Sequence, residues 1–200
     1  DGADPALSPD GERLYFLSFQ SIESDPTERE RIWFAERSGA GWGRPRMIDA
    51  CIAAHATHWT FSVAANGNLY FTSETADRQD IFVSRFEEGR YLDPIDLGPS
   101  INGPGKNFCP FVWADERFLV FARSGEGTRR ADLFVSFRTE EGGWGPARLL
   151  GEPINSDGHD LAPVVSNDGE YLFFLSMRDG RSRPYWVEAS VLEDERPSGN

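Results

Sequence analysis

A Leu followed by two large β-formers occurs four times, as Leu14-Tyr15-Phe16, Leu69-Tyr70-Phe71, Leu119-Val120-Phe121 and Leu172-Phe173-Phe174. The copies are spaced roughly every 50 residues, the range of repeat architectures. A second marker follows each copy: Ile32-Trp33-Phe34, Ile81-Phe82-Val83, Leu133-Phe134-Val135 and Tyr185-Trp186-Val187. A third follows the first three: Trp42-Gly43-Arg44-Pro45, Tyr91-Leu92-Asp93-Pro94 and Trp144-Gly145-Pro146. Three markers in one order and at one spacing require the chain to fold as an array of one unit.

Each unit reads as four short strands. The first ends at a tight hairpin turn, Asp10-Gly11, Asn66-Gly67 or Asp168-Gly169. Gly accepts positive φ there, and Asp or Asn bonds the backbone of its own turn. Unit three has Asp115-Glu116-Arg117 instead and lacks the Gly, so a turn of another type is expected. The Leu-Tyr-Phe run is apolar on both faces, as in a doubly buried strand. The Ile-Trp-Phe run is the third strand. The Pro-bearing marker opens the fourth, an outer position where a missing N–H does least harm. The charged stretch 27–37 reads as a loop entering a strand. No 3.6-residue pattern persists, which excludes helical solenoids.

All-β units of four antiparallel strands with aromatic markers point to a β-propeller. The blades are expected at about 5–54, 55–107, 108–160 and 161–192, with a polar tail over 193–200. Unit four shows only three strands. Several phrases, Ser8-Pro9-Asp10-Gly11 before a Leu-Tyr-Phe strand, Asn66 to Ser73, Asp80 to Ser84 and Ile154-Asn155-Ser156, resemble the WD40-like (PD40) repeats of TolB-like propellers. The resemblance covers essentially the whole chain. It implies a ring of five or six blades, of which about four are visible, and a periplasmic or secreted setting. It carries no catalytic motif. With Asp at position 1 and the first motif starting at once, an upstream segment is expected to have been removed or omitted.

Net charge is −13. Such a surface repels phosphate backbones, so nucleic acid is not an expected partner. No apolar run approaches a membrane span. Nineteen of the 20 Lys and Arg residues are Arg, with Lys106 the exception. Cys51 and Cys109 fall in different units, and a bridge between them is left open.

In a propeller the loops entering the innermost strands emerge at one face, together with the loops between second and third strands. The entry loops hold all three histidines, His55, His58 and His159, with Asn107, Asp157 and Asp160. The spacing makes His58, Asn107 and Asp160 equivalent, each three residues before Phe61, Pro110 and Pro163. Their meeting point is the expected channel mouth. The second class of loop is rich in Arg, including Arg78, Arg123, Arg129, Arg130 and Arg178. The candidate ligand-binding set is therefore His55, His58, Asn107, His159, Asp160, Arg123 and Arg178, with a carboxylate or acidic sugar as ligand. The bland reading is that these groups cap blade ends and pair with the many carboxylates. No cofactor is predicted, and a divalent metal is a minority reading, since the spacing is not that of a metal site.

No G-x-S-x-G elbow is present, and His159-Asp160 has no assigned Ser. No catalytic residue is assigned. The expected function is non-catalytic binding of a protein or glycan partner. The alternatives are a propeller hydrolase, such as a glycoside hydrolase with carboxylates at the mouth, and a propeller domain detached from a serine peptidase.

Overall fold

The computed structural model describes residues 2–20, 30–75, 78–125 and 130–197, with 57–59 and Thr75 described by backbone alone. Four antiparallel sheets follow one another along the chain as the blades of a propeller. Blade one contains β1 (Gly2–Leu7), β2 (Arg13–Ser18) and β3 (Arg31–Ser38), with the short β4 (Gly41–Trp42) and β5 (Arg46–Met47) both pairing with β3. A helical turn, α1 (Ala50–Ala53), leads to blade two. That blade runs β6 (Thr57–Val63), β7 (Leu69–Thr75), β8 (Arg78–Ser84), a small hairpin of β9 (Phe86–Glu87) and β10 (Arg90–Tyr91), and β11 (Ile95–Asp96). Blade three is β12 (Lys106–Val112), β13 (Phe118–Ser124), β14 (Ala131–Phe137) and β15 (Arg148–Leu149). Blade four has three strands, β16 (Asp160–Val165), β17 (Tyr171–Ser176) and β18 (Arg183–Glu188), followed by α2 (Ser190–Asp194). Of the stretch expected as a charged loop, 31–37 belongs to β3, and 27–29 lies outside the described residues.

In blades two and three the fourth strand is only two residues long, and a side chain continues the pairing beyond it. After β11, Asn102 accepts from the Ile81 N–H at 2.8 Å and donates to the Ile81 carbonyl at 2.9 Å. Asn155 treats Leu133 identically, at 2.7 and 2.9 Å. The Ile-Asn dipeptide thus extends the outer edge of its blade without further backbone pairing. The marker aromatics pack near the end of the third strand: Trp42 lies under Arg37, Tyr91 against Phe86 and Trp144 under Arg138. They fasten the segment that carries the fourth strand.

All four hairpin turns have one geometry. Residues Gly11, Gly67, Glu116 and Gly169 have φ of +72°, +88°, +59° and +76°, and each donates its N–H to the residue three before it. The turn of unit three is therefore not of another type. Glu116 adopts the left-handed conformation itself, which costs a residue with a Cβ roughly 1 kcal/mol or more. Its carboxylate recovers that cost in a partly buried network. It accepts from Tyr70 Oη at 2.5 Å and from the side-chain amides of Asn66 and Asn68 at 3.0 Å each, with Arg138 at 3.4 Å. The turn aspartates are explained locally: Asp10 and Asp168 each accept from a Ser hydroxyl and from the N–H two residues on.

Side chains alternate between the two neighbours of a blade, as the two-residue strand period requires. One row in each blade points to the preceding blade, the other to the following one. The rows pointing forward are Ala6, Tyr15 and Phe34; Ser62, Tyr70 and Val83; Phe111, Val120 and Val135; and Val164, Phe173 and Trp186. In the first three blades the central residue is wholly buried under the next blade. In blade four Val164, Phe173 and Trp186 are 50%, 42% and 61% exposed. The register also corrects the sequence reading by one residue. Phe174 pairs with Tyr185, as Phe71 pairs with Phe82, so the copy of Ile81-Phe82-Val83 is Pro184-Tyr185-Trp186. A one-residue shift exchanges the faces of a strand. Trp186 therefore lies on the open face and not in blade-to-blade packing. Cys51 and Cys109 are separate thiols, Cys109 buried.

Candidate functional site

The inner strands start earlier than the sequence suggests. Thr57, Asn107 and Asp160 pair with Ser73, Arg123 and Ser176, at the same rung of their blades. Asn107 and Asp160 are thus strand residues and not loop residues. The strands run through a bulge at which Asp4, Cys109 and Ala162 take φ of +48° to +53° just before Pro5, Pro110 and Pro163. Blade two has Phe61 in place of that proline and one more residue in its bulge. The rung equivalent to Asn107 and Asp160 is consequently Thr57 and not His58. The side chain of His58 lies outside the described residues, as does Arg129.

Asn107 and Asp160 are both 0% exposed. They brace other groups and do not line an open mouth. Asn107 donates to Asp80 Oδ1 at 3.2 Å and to the Gly103 carbonyl at 3.0 Å, and accepts from Arg123 Nε at 2.8 Å. Asp160 accepts from the N–H and hydroxyl of Ser156 at 2.7 and 2.8 Å, and lies 3.5 Å from Arg178.

The groups that do reach outward share one place per blade, above the aromatic pair formed by the second and third strands. In blade three the Arg123 guanidinium lies 4.5 Å from the Phe134 ring and 5.4 Å from Phe121. In blade four Arg178 lies 4.4 Å from Tyr185 and 5.6 Å from Phe174. Each donates through Nη2 to an equivalent carbonyl, Ile101 at 2.7 Å and Ile154 at 2.8 Å. In blade two the place is taken by His55, 5.3 Å from Phe82 and 5.8 Å from Phe71, with Nδ1 3.1 Å from the Ser73 hydroxyl. Burial lowers the pKa of His55, which favours the neutral imidazole. Burial likewise lowers that of Arg123. Gly103 leaves room for this placement: a Cβ there would stand 2.8 Å from the Arg123 guanidinium carbon and would push the guanidinium aside.

His159 plays a different part. Its Nδ1 accepts the Ala131 N–H at 3.2 Å, which leaves the proton on Nε2. It therefore does not form a dyad with Asp160, whose carboxylate is held by Ser156 and Arg178. Of the other arginines at this face, Arg78 makes a two-pronged pair with Asp80, and Arg130 pairs with Asp132 and Asp157. Among the described residues no three His, Cys, Asp or Glu side chains cluster as a metal site. Spacing alone groups His55 with Arg123 and Arg178 only as members of two loop classes. Their shared place rests on the stacked rings beneath them, a signal visible in sequence only once the register is known.

On the opposite, hairpin face, clefts open between blades. One of about 440 Å³ lies between blades one and two, beside Arg13, Glu36 and Asn66. One of about 370 Å³ lies between blades three and four, beside Trp113, Tyr171 and Glu188. The Glu116 network belongs to the interface between them.

No family model matches the chain, and no curated protein sequence does. Solved structures do. A putative TolB from Agrobacterium tumefaciens superposes with a TM-score of 0.65 at 18% identity, over 92% of this chain and 60% of that one. The fold is a TolB-like β-propeller. An alpha-L-arabinofuranosidase from Lactobacillus brevis gives a TM-score of 0.57 at 15% identity, covering 92% of this chain and 71% of its own. A puromycin-hydrolyzing peptidase from Mycobacterium tuberculosis gives 0.53 at 17%, covering 96% and 30%. The chain spans less than two thirds of the TolB structure, and at these identities the likeness concerns the fold alone. No helix among the described residues is long and apolar enough to cross a membrane.

Proposed function

We propose that this propeller is a non-catalytic binding module for a protein or glycan partner, working in a bacterial envelope or secreted setting. The partner docks on the face that carries His55, Arg123 and Arg178. The observation that supports this most is the repeated place itself: three successive blades hold a nitrogen base over a ring pair at one face. The polar groups beneath are committed to bracing. Asn107 spends both ends of its amide on protein partners, and His159 and Asp160 face different neighbours. Such an arrangement is suited to holding a ligand, and the Ser73 hydroxyl that meets His55 Nδ1 at 3.1 Å is itself only 1% exposed, which argues against its use as a nucleophile. The setting is carried over from the TolB-like fold.

The test is a photo-cross-linking residue at Met177, which is exposed and whose N–H bonds the His159 carbonyl. A second probe at exposed Glu12, in the hairpin of blade one, reports the opposite face. In an envelope extract, products from position 177 and none from position 12 are expected. Turnover of aryl ester, glycoside or peptide anilide substrates, or products from position 12 alone, would overturn the reading.

A further inference from the structure

Two equivalent polar nodes sit at this face, and one of them lacks a charge that the other has. Between blades three and four the node comprises Arg130, Asp132, Asp160 and Arg178. Two guanidinium groups meet two carboxylates, with Arg130 3.3 Å from Asp132 and Arg178 3.5 Å from Asp160. Between blades two and three the same rungs hold Arg78, Asp80, Asn107 and Arg123. Arg78 and Asp80 pair at 2.9 Å. Asn107 stands where Asp160 stands, and it is neutral. No carboxylate among the described residues lies within ion-pair range of Arg123.

A half-buried cation without a counter-charge is costly, because burial removes water and neutral acceptors replace it only in part. A chain with 33 Asp and Glu has no shortage of carboxylates. The guanidinium is held firmly all the same. Nε is fixed by Asn107, one Nη2 proton by the Ile101 carbonyl, and the Phe121 and Phe134 rings lie beneath it. Nη1 makes no hydrogen bond among the described residues. A planar fork fixed on one side and free on the other matches a carboxylate.

We propose that Arg123 is the docking point for a carboxylate of a polypeptide partner, which supplies from outside the charge that Asp160 supplies within the neighbouring node. The proposal rests on the binding-module reading and names the chemistry of that site. A polypeptide is favoured over a polyuronate because of the net charge of −13. A glycan with a carboxylate on every sugar is repelled by that field, whereas one isolated carboxylate is repelled far less.

The experiment follows the Arg123 Nε–Hε NMR signal at low ionic strength. The probe is an acetylated, amidated tripeptide with glutamate between two glycines, and its glutamine counterpart is the control. A saturable shift is expected with the glutamate peptide and none with the control. Asn107→Asp rebuilds the complete node, and it should weaken the response by about tenfold or more. Asp160→Asn opens the other node, and a new glutamate-dependent shift is expected at Arg178. The dispersion of each variant's spectrum checks that it folds. An unmoved Arg123 signal, or an undiminished response in Asn107→Asp, overturns the proposal. Tetragalacturonate binding more tightly than the peptide overturns the polypeptide assignment. Cross-linking at position 177 that persists in Arg123→Gln, alongside an unmoved signal, removes Arg123 while leaving the binding-module reading in place.

Discussion

Glu116 offers a quantitative test of how the blades are joined. It occupies a left-handed position that the other three hairpins give to Gly, at φ +59°. A glycine there removes strain of about 1 kcal/mol. It also removes a carboxylate that accepts from Tyr70, Asn66 and Asn68 and faces Arg138 at 3.4 Å. Hydrogen bonds to a charged group contribute about 1.5–3 kcal/mol each where burial is complete. Only Tyr70 is fully buried, and the two amides regain water, so the network as a whole is worth about 3 kcal/mol. Glu116→Ala, which loses the network and keeps the strain, should cost about 3 kcal/mol. Glu116→Gly should cost about 2 kcal/mol, the difference being the relieved strain. Urea denaturation at pH 7 with a shared slope measures both. Burial alone would raise the Glu116 pKa, but the bonds from Tyr70 and Asn68 and the charge of Arg138 outweigh it, and the net shift is downward. The stabilisation is therefore fully present above the unfolded value near 4.5 and is lost as pH falls through the lower folded value. The gap between wild type and variants should narrow in strong acid. A Gly variant as stable as wild type at pH 7, or an Ala variant no worse than Gly, would refute the reasoning.

Further outcomes follow from the alternating rows. Phe121→Ala, in a wholly buried position between blades two and three, should cost about 3–5 kcal/mol, whereas Phe173→Ala on the open face should change stability by about 0.5 kcal/mol or less, both read by thermal melting. Asn155→Ala strips the paired bonds from the Leu133 backbone and should cost about 2 kcal/mol, with faster hydrogen exchange at the Leu133 amide. Burial lowers the His55 pKa below 6.5, so the unfolded chain binds the proton more readily in that window. Stability should fall as pH drops from about 6.5 toward the folded value, and His55→Gln should flatten that part of the profile.

The repeat, the all-β blades, the three-stranded last unit and the turn chemistry of Asp10-Gly11 and Asp168-Gly169 are legible in the order of residues alone. These features are local: a two-residue alternation, a Gly at positive φ and an Asx bond are written within a few neighbouring positions. The shared face of His55 and Arg178 is legible for the same reason, since loop class follows from strand order, whereas Arg123, read from the sequence as a loop residue, lies at the end of β13. What each residue does there depends on the packed blades. One extra residue in the bulge of β6 moves the equivalence from His58 to Thr57, and a one-residue shift in β18 moves Trp186 from a packed face to an open one. A strand that changes face every residue makes such slips invisible in spacing and decisive in space. The same holds for charge. Asn107 and Asp160 differ by one atom type at equivalent rungs, yet one node closes its charges and the other leaves Arg123 open, because pairing depends on which side chains the blades bring within a few ångströms.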